Sequence, residues 1–391
     1  MALKSQLLQR VPITSSIIYM FLGITLGKHG FNLLPINAEE HHTLIEIVTE
    51  ITVIVALFTV GLKLRLPLSD QLWKLPLTLA TLSMVITIFL IAAISHYFLK
   101  LNHGEAILLG AILAPTDLVL ASEVQLEGPK VDSRLKFSLS TEGGLNDGTA
   151  FPFIMLGLGI MTKNNAWSFT DWVQIDLIWA VVGGLGIGTI LGFVIFKIAN
   201  YVKSIKHNYY LEDFLTIGSI ALSYGLAIQF KTYGFLAVFA NALTFRQLEL
   251  KKTGSVKESP KDELPDEVLS FNEQLERIFE VVSVVLLGTL INLHAFSLDI
   301  FLFALTLFLI IRPLAVFAGT SFARSSLKFS VFTSWFGVRG IGSVYYLFYA
   351  LNHKSFSGNS EVLLDITLWV LFLSIVIHGL STKPLMKIWN K

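Results

Sequence analysis

Leu109-Gly110-Ala111-Ile112-Leu113-Ala114-Pro115-Thr116-Asp117 puts a proline and a carboxylate in the middle of an apolar run covering residues 104–122. The run has the length of a helix that crosses a bilayer, about 20 residues. Pro115 interrupts that helix, because it removes a backbone donor and its ring clashes with the carbonyl of Ala111. It also disfavours the α conformation at Ala114. The chain is expected to open here, about 20 Å from one face at about 1.5 Å per residue. An opening at that depth is tolerated only where it lines a cavity. The freed carbonyls then become potential ligands, and Asp117 can cap a second half-helix.

The rest of the chain fits a membrane setting. Of its 391 residues 53% are hydrophobic and 15% charged, with a mean hydropathy of +0.68. Soluble domains carry about 25% charged residues. The net charge of +1 gives no basic surface for nucleic acid. Absence of cysteine excludes disulfides, thiolate metal sites and cysteine nucleophiles. There is no P-loop pattern, so ATP does not drive the process. The reading is an all-α membrane protein with about 12 transmembrane helices. Expected spans are 12–28, 44–62, 76–99, 104–122, 136–160, 172–198, 211–229, 232–248, 276–293, 298–320, 328–350 and 362–382. A polar, mobile loop is expected over residues 249–272. Lys and Arg are distributed 22 to 5 between the two sides of this arrangement, Lys28, Lys100, Lys163, Lys231 and Lys354 being the five. The rich side, which holds both termini, is expected to be cytoplasmic.

Charges that remain at depth are read as functional, since each costs about 2.5–3.5 kcal/mol at mid-bilayer without a partner. They are Asp117, Glu142, Asp147, Arg312 and Arg339. In Thr141-Glu142-Gly143-Gly144-Leu145-Asn146-Asp147, Glu142 and Asn146 share a helix face. Asp147 is turned about 100° from Asn146 and can point at the opening beside Asp117. Trp335-Phe336-Gly337-Val338-Arg339-Gly340-Ile341-Gly342-Ser343 surrounds a deep arginine with three glycines and suggests a second broken helix. The two broken spans run antiparallel, the pattern of inverted repeats with a binding site between them. Arg339 would offset the carboxylates and half-helix ends at the crossing. Arg312, before Pro313, lies at the depth of Glu142, about 12 Å in, and the two are expected to pair. Glu46 and Glu50 share a face near the outer end of the second span, either drawing cations in or facing solvent. The histidines show no metal-ligand spacing; His96 and His378 read as packing residues.

Pro115-Thr116-Asp117, Glu142 with Asn146-Asp147, Arg312-Pro313, the Gly337–Ser343 stretch and Phe271-Asn272-Glu273-Gln274-Leu275-Glu276-Arg277 together resemble the bacterial sodium/proton exchanger family of monovalent cation:proton antiporters, in its electroneutral Asn-Asp branch. The resemblance covers nearly the whole chain. It implies a homodimer in a bacterial inner membrane, with core helices over 76–160 and 298–382 and scaffold helices over 12–62 and 172–293. It implies that Asp147 binds cation and proton alternately, that Asp117 and Thr116, with Asn146, help hold the cation, and that Glu142 and Arg312 form a structural ion pair. No cofactor is implied beyond the transported Na+ or other monovalent cation and H+. Leu118 and Gly143 stand where the family usually has proline and often has serine, which leaves K+ exchange open. Many members carry one more N-terminal helix, so a shortened form is expected. A cation channel would need a continuous pore; an organic-solute symporter would need a roomier, aromatic-lined pocket. Opposed broken helices with buried carboxylates favour an antiporter, not an enzyme, with alternating access.

Overall fold

The computed structural model describes residues 14–117, 133–162, 167–205, 211–253, 264–353 and 356–389. These form about thirteen helices and, among the described residues, no strand. In chain order they are α1 (Ser15–Leu26), α2 (His42–Lys63), α3 (Gln71–Phe98), α4 (His103–Leu113), α5 (Ser133–Met161), α6 (169–205) and α7 (Leu211–Gln229). The second half continues with α8 (Gly234–Thr253), α9 (Leu264–Leu290), α10 (Leu298–Phe322), α11 (Leu327–Trp335), α12 (Ile341–Asn352) and α13 (Ser360–Trp389). Stretches of α2, α3, α6, α10 and α13 are apolar over a full spanning length. The remainder are shorter or carry polar residues that turn inwards. α11 and α12 together make one broken span, so the helices follow the expected order of spans. The molecule is an all-α membrane protein with two broken helices.

Packing centres on α2, whose residues from Thr52 to Leu62 are all buried. α8, α9 and α12 surround it. α6 is different: Ile175, Ile178, Trp179, Val182 and Ile190 are exposed, an apolar surface suited to lipid or to another membrane helix. In α10 a π turn at Leu307–Ile311 directly precedes Arg312-Pro313. Pro313 cannot donate to the carbonyl one turn back, and the wider turn makes room for its ring. A similar π turn in α3 leaves the Ala80 carbonyl free to accept from the Thr149 hydroxyl of α5 at 2.9 Å.

Two expectations are corrected. The polar loop assigned to 249–272 is helical at both ends: α8 runs to Thr253 and α9 starts at Leu264, leaving only 254–263 outside the described residues. The reason is an i, i+4 stripe. Val268, Asn272, Glu276 and Glu280 lie on one face of α9 and are all buried. Glu276 pairs there with Lys63 of α2 at 3.4 Å, and the Ser16 hydroxyl of α1 donates to Glu280 at 3.4 Å. Composition alone places the first two of these, Val268 and Asn272, in the polar loop, while Glu276 and Glu280 fall in the expected span 276–293. The second correction is at Ala114, which keeps α-helical angles (φ −71°, ψ −41°), so the chain leaves the helix from Pro115 onwards.

Candidate functional site

The two breaks meet. α4 ends at Leu113, and residues 115–117 run on without helical structure. Opposite them, residues 336–340 separate α11 from α12. The Asp117 N–H donates to the Val338 carbonyl at 2.7 Å. The Asp117 carboxylate accepts from the N–H of Ile341, the first residue of α12, at 2.7 Å. Arg339 reaches the other way, its guanidinium donating to the carbonyl of Leu113, the last residue of α4, and to that of Gly337. An anion thus stands at a helix N-terminus and a cation at a helix C-terminus, the favourable sign at each end. The half-helix that Asp117 was expected to cap lies outside the described residues; the helix start that Asp117 does meet belongs to α12.

α5 presents three side chains to three neighbours. Glu142 meets Arg312 of α10, Oε1 to Nη2, at 2.6 Å, with both side chains buried. Asn146 donates from Nδ2 to the Thr116 hydroxyl at 2.9 Å. Its Oδ1 has no hydrogen-bond partner among the described residues. Asp147 faces a small cavity whose other walls are Thr52, Val53, Ala56 and Leu57 of α2, Asp117, and Ile341 and Gly342 of α12. The structure therefore brings together Thr116, Asp117, Asn146, Asp147 and Arg339 around the crossing, and sets Glu142 with Arg312 beside it.

Three glycines admit the charges. A Cβ on Gly340 would occupy the place of the Asp117 carboxylate, and one on Gly342 would lie 2.8 Å from the Asp147 Oδ1. One on Gly337 would lie 2.6 Å from Arg312 Nε and 3.1 Å from Arg339 Nη1. A motif read as a helix breaker is also a set of close approaches.

Sequence reasoning missed several contacts of this site. The Tyr346 hydroxyl donates to the main-chain carbonyl of Asp147 at 2.6 Å. The Arg339 N–H donates to Ser374 Oγ on α13 at 2.8 Å. Thr52, on the cavity wall, hydrogen-bonds Ser283 of α9 at 2.7 Å. Nothing in local spacing marks these residues, which lie 30 or more positions from their partners. His378 is buried, its Nδ1 2.8 Å from the Ser374 carbonyl one turn back on the same helix and its ring edge-on to Phe308. Chemically, two carboxylates and the Thr52 hydroxyl in a small, otherwise apolar cavity suit a small cation or protons, with the Asn146–Thr116 hydrogen bond beside it.

The family model described as sodium/hydrogen exchanger, transmembrane, matches residues 1–388. Over 393 residues the chain is 24% identical to the K(+)/H(+) antiporter NhaP of Alkalimonas amylolytica, a match covering 98% of this chain but only 63% of that relative. It is 25% identical over 389 residues to the Na(+)/H(+) antiporter NhaH of Halobacillus aidingensis, covering 95% of this chain and 91% of that one. Among solved structures, that of the sodium proton antiporter MjNhaP1 from Methanocaldococcus jannaschii superposes with a TM-score of 0.77 at 20% identity, over 98% of this chain and 93% of the other. At that identity the likeness is one of fold.

Proposed function

The chain belongs to the sodium/hydrogen exchanger family, and from this we propose that it is a secondary active antiporter exchanging a monovalent cation, Na+ foremost, for H+ across the cell membrane. One observation carries the reading: Asp147 and Asp117 line the same small cavity where two interrupted helices cross. A carboxylate in a low-dielectric cavity is stable when protonated or when paired with a cation, and unstable when bare. Cation and proton therefore compete for Asp147, and competition couples their fluxes. Thr116, Asp117 and the Asn146 oxygen, which has no partner among the described residues, complete the cation site. The bare, charged site resists transfer, which prevents slip.

Alternating access follows from moving a core built on 76–160 and 298–382 against a scaffold built on 12–62 and 172–293. The exposed apolar face of α6 supports assembly as a homodimer through the scaffold. The Lys and Arg asymmetry supports cytoplasmic termini. The name of the Alkalimonas relative supports K+/H+ exchange as the second reading.

The test is purified protein in proteoliposomes with an internal pH dye, given inward gradients of Na+, K+ or Li+ in turn. Saturable, cation-driven proton efflux is expected, and the cation giving the lowest KM is the substrate. Asp147→Asn and Asp117→Asn are each expected to fall to near the rate of empty vesicles while remaining monodisperse in detergent. Exchange at the wild-type rate in either variant rejects the site; proton flux that never saturates favours a channel.

A further inference from the structure

Glu46 and Glu50, one turn apart on α2, are half-buried and bonded to neighbouring helices. Glu46 accepts from the Asn352 side-chain amide, at the end of α12. Glu50 accepts from the Tyr345 hydroxyl of α12 at 3.5 Å and from the Tyr224 hydroxyl of α7. The order is that of an antiparallel pair: moving along α2 from Glu46 to Glu50 moves back along α12 from Asn352 to Tyr345. Between these contacts and the cavity stands a block of rings. Phe151, one turn along α5 from Asp147, packs on Tyr233, Tyr345, Tyr346 and Tyr349 with centroids 4.8–6.4 Å away. Phe235 of α8 lies 5.0 Å from the Tyr345 ring. Along α12, Tyr345, Tyr346 and Tyr349 lie between the cavity residues Ile341 and Gly342 and the Asn352 contact.

We propose that Tyr345 and Asn352 latch α12 to Glu50 and Glu46, holding the ion cavity shut towards the outer face, and that this latch sets how often the cavity opens there. The proposal rests on the antiporter reading above, with α12 in the moving core, α2 in the scaffold and the lysine-poor face outside. Under that division the Tyr345 and Asn352 contacts cross the sliding boundary and break in every cycle. The Tyr224 contact joins two scaffold helices and does not. The latch is polar and directional, so it favours one register of α12 on α2, whereas a greasy interface would favour a range of positions. The ring block then follows α12, because Tyr345, Tyr346 and Tyr349 ride on it.

The chain has no cysteine, so one introduced thiol reports on the cavity without background. Val53, buried on the α2 wall, is the site. Val53→Cys is expressed in cells and labelled with a membrane-impermeant maleimide added outside. Slow labelling is expected from the closed outer side. Adding Tyr345→Phe and Asn352→Leu removes both donors on α12 and is expected to raise the labelling rate about tenfold or more, since hydrogen bonds to charged acceptors are lost. Tyr345→Phe alone, which preserves the ring, is expected to give an intermediate rise. Tyr224→Phe is expected to leave the rate within about twofold. A labelling rate unchanged in the double variant overturns the latch, and so does an equal rise in Tyr224→Phe, which would report general loosening. Labelling needs no transport: if wild-type vesicles show no cation-driven proton flux, the antiporter reading fails on that result and the latch is judged on its own.

Discussion

Glu142 and Arg312 show what a single residue is worth when the medium cannot help it. Each is buried and the pair meets at 2.6 Å, with Gly337 packed against both the Arg312 and Arg339 guanidinium groups. Removing the glutamate leaves two arginines facing each other across a glycine. Breaking a buried pair by deleting one partner costs about 3–5 kcal/mol. Glu142→Ala is therefore expected to lower the thermal midpoint in detergent by several degrees, read by loss of monodisperse protein after heating. Because replacing a whole pair by apolar residues is often nearly neutral, adding Arg312→Met to Glu142→Ala is expected to restore part of the loss. A single variant as stable as the wild type would mean that the pair contributes little to the fold. Asn146 makes the complementary point: its amide nitrogen donates to Thr116, its oxygen has no hydrogen-bond partner among the described residues, and an amide, unlike a carboxylate, does not titrate.

At the scale of the element, the stretch 337–342, most of the link between α11 and α12 with the first two residues of α12, concentrates three requirements in six residues. It ends one half-helix, starts another, and lets an arginine and two carboxylates approach the backbone. Gly340 is the tightest of these points, since any Cβ there meets the Asp117 carboxylate that accepts from the first N–H of α12. Gly340→Ala is expected to displace Asp117, reducing cation-driven proton flux at least tenfold and lowering the thermal midpoint. Gly225→Ala is the contrast. A Cβ on Gly225 of α7 has no neighbour within 4 Å, and alanine is the better helix former by about 1 kcal/mol, so stability is expected to hold or rise. Equal losses at the two positions would show that glycine itself, not the room at Gly340, is what matters. The π turns of α3 and α10 carry the same lesson: each sits where a proline or an inter-helix hydrogen bond asks the regular ladder to open.

For the molecule as a whole the decisive question is charge moved per cycle. If Asp147 alone trades a cation for a proton, the moving core carries the same charge in both directions. Asp117, fixed on the start of α12, then keeps one charge state throughout. A membrane potential does about 2.3 kcal/mol of work per elementary charge per 100 mV, and none on a neutral exchange. With vesicles clamped by potassium and valinomycin, sodium-driven proton flux is expected at the same rate at zero and at a large potential. Uphill proton movement driven by potential alone would require a second titrating group, Asp117 first. Asn146→Asp adds a carboxylate at the site, and if the variant folds and exchanges, its rate is expected to become potential-dependent.

The sequence by itself determined the class of protein and the places where helices break. Apolar runs of spanning length leave only helices in a bilayer, because no water is there to satisfy open backbone. Pro115 and the glycines around Arg339 interrupt those helices by local chemistry that needs no partner. The residues at the crossing were legible for the same reason, since a charge in an apolar run stands out against its neighbours. Tertiary structure decided who meets whom. That Asp117 caps α12, that Arg339 serves the end of α4, and that Glu46 and Glu50 face α12 depend on how helices far apart in sequence come together. So do Tyr346, Ser374 and Thr52, ordinary residues at ordinary spacings until another helix is laid against them. The start of α9 falls inside the loop expected over 249–272, because burial, not composition, determines whether Val268 and Asn272 meet water; Glu276 and Glu280, further along the same face, fall in the expected span. Periodicity fixes a face, and only packing decides what that face touches.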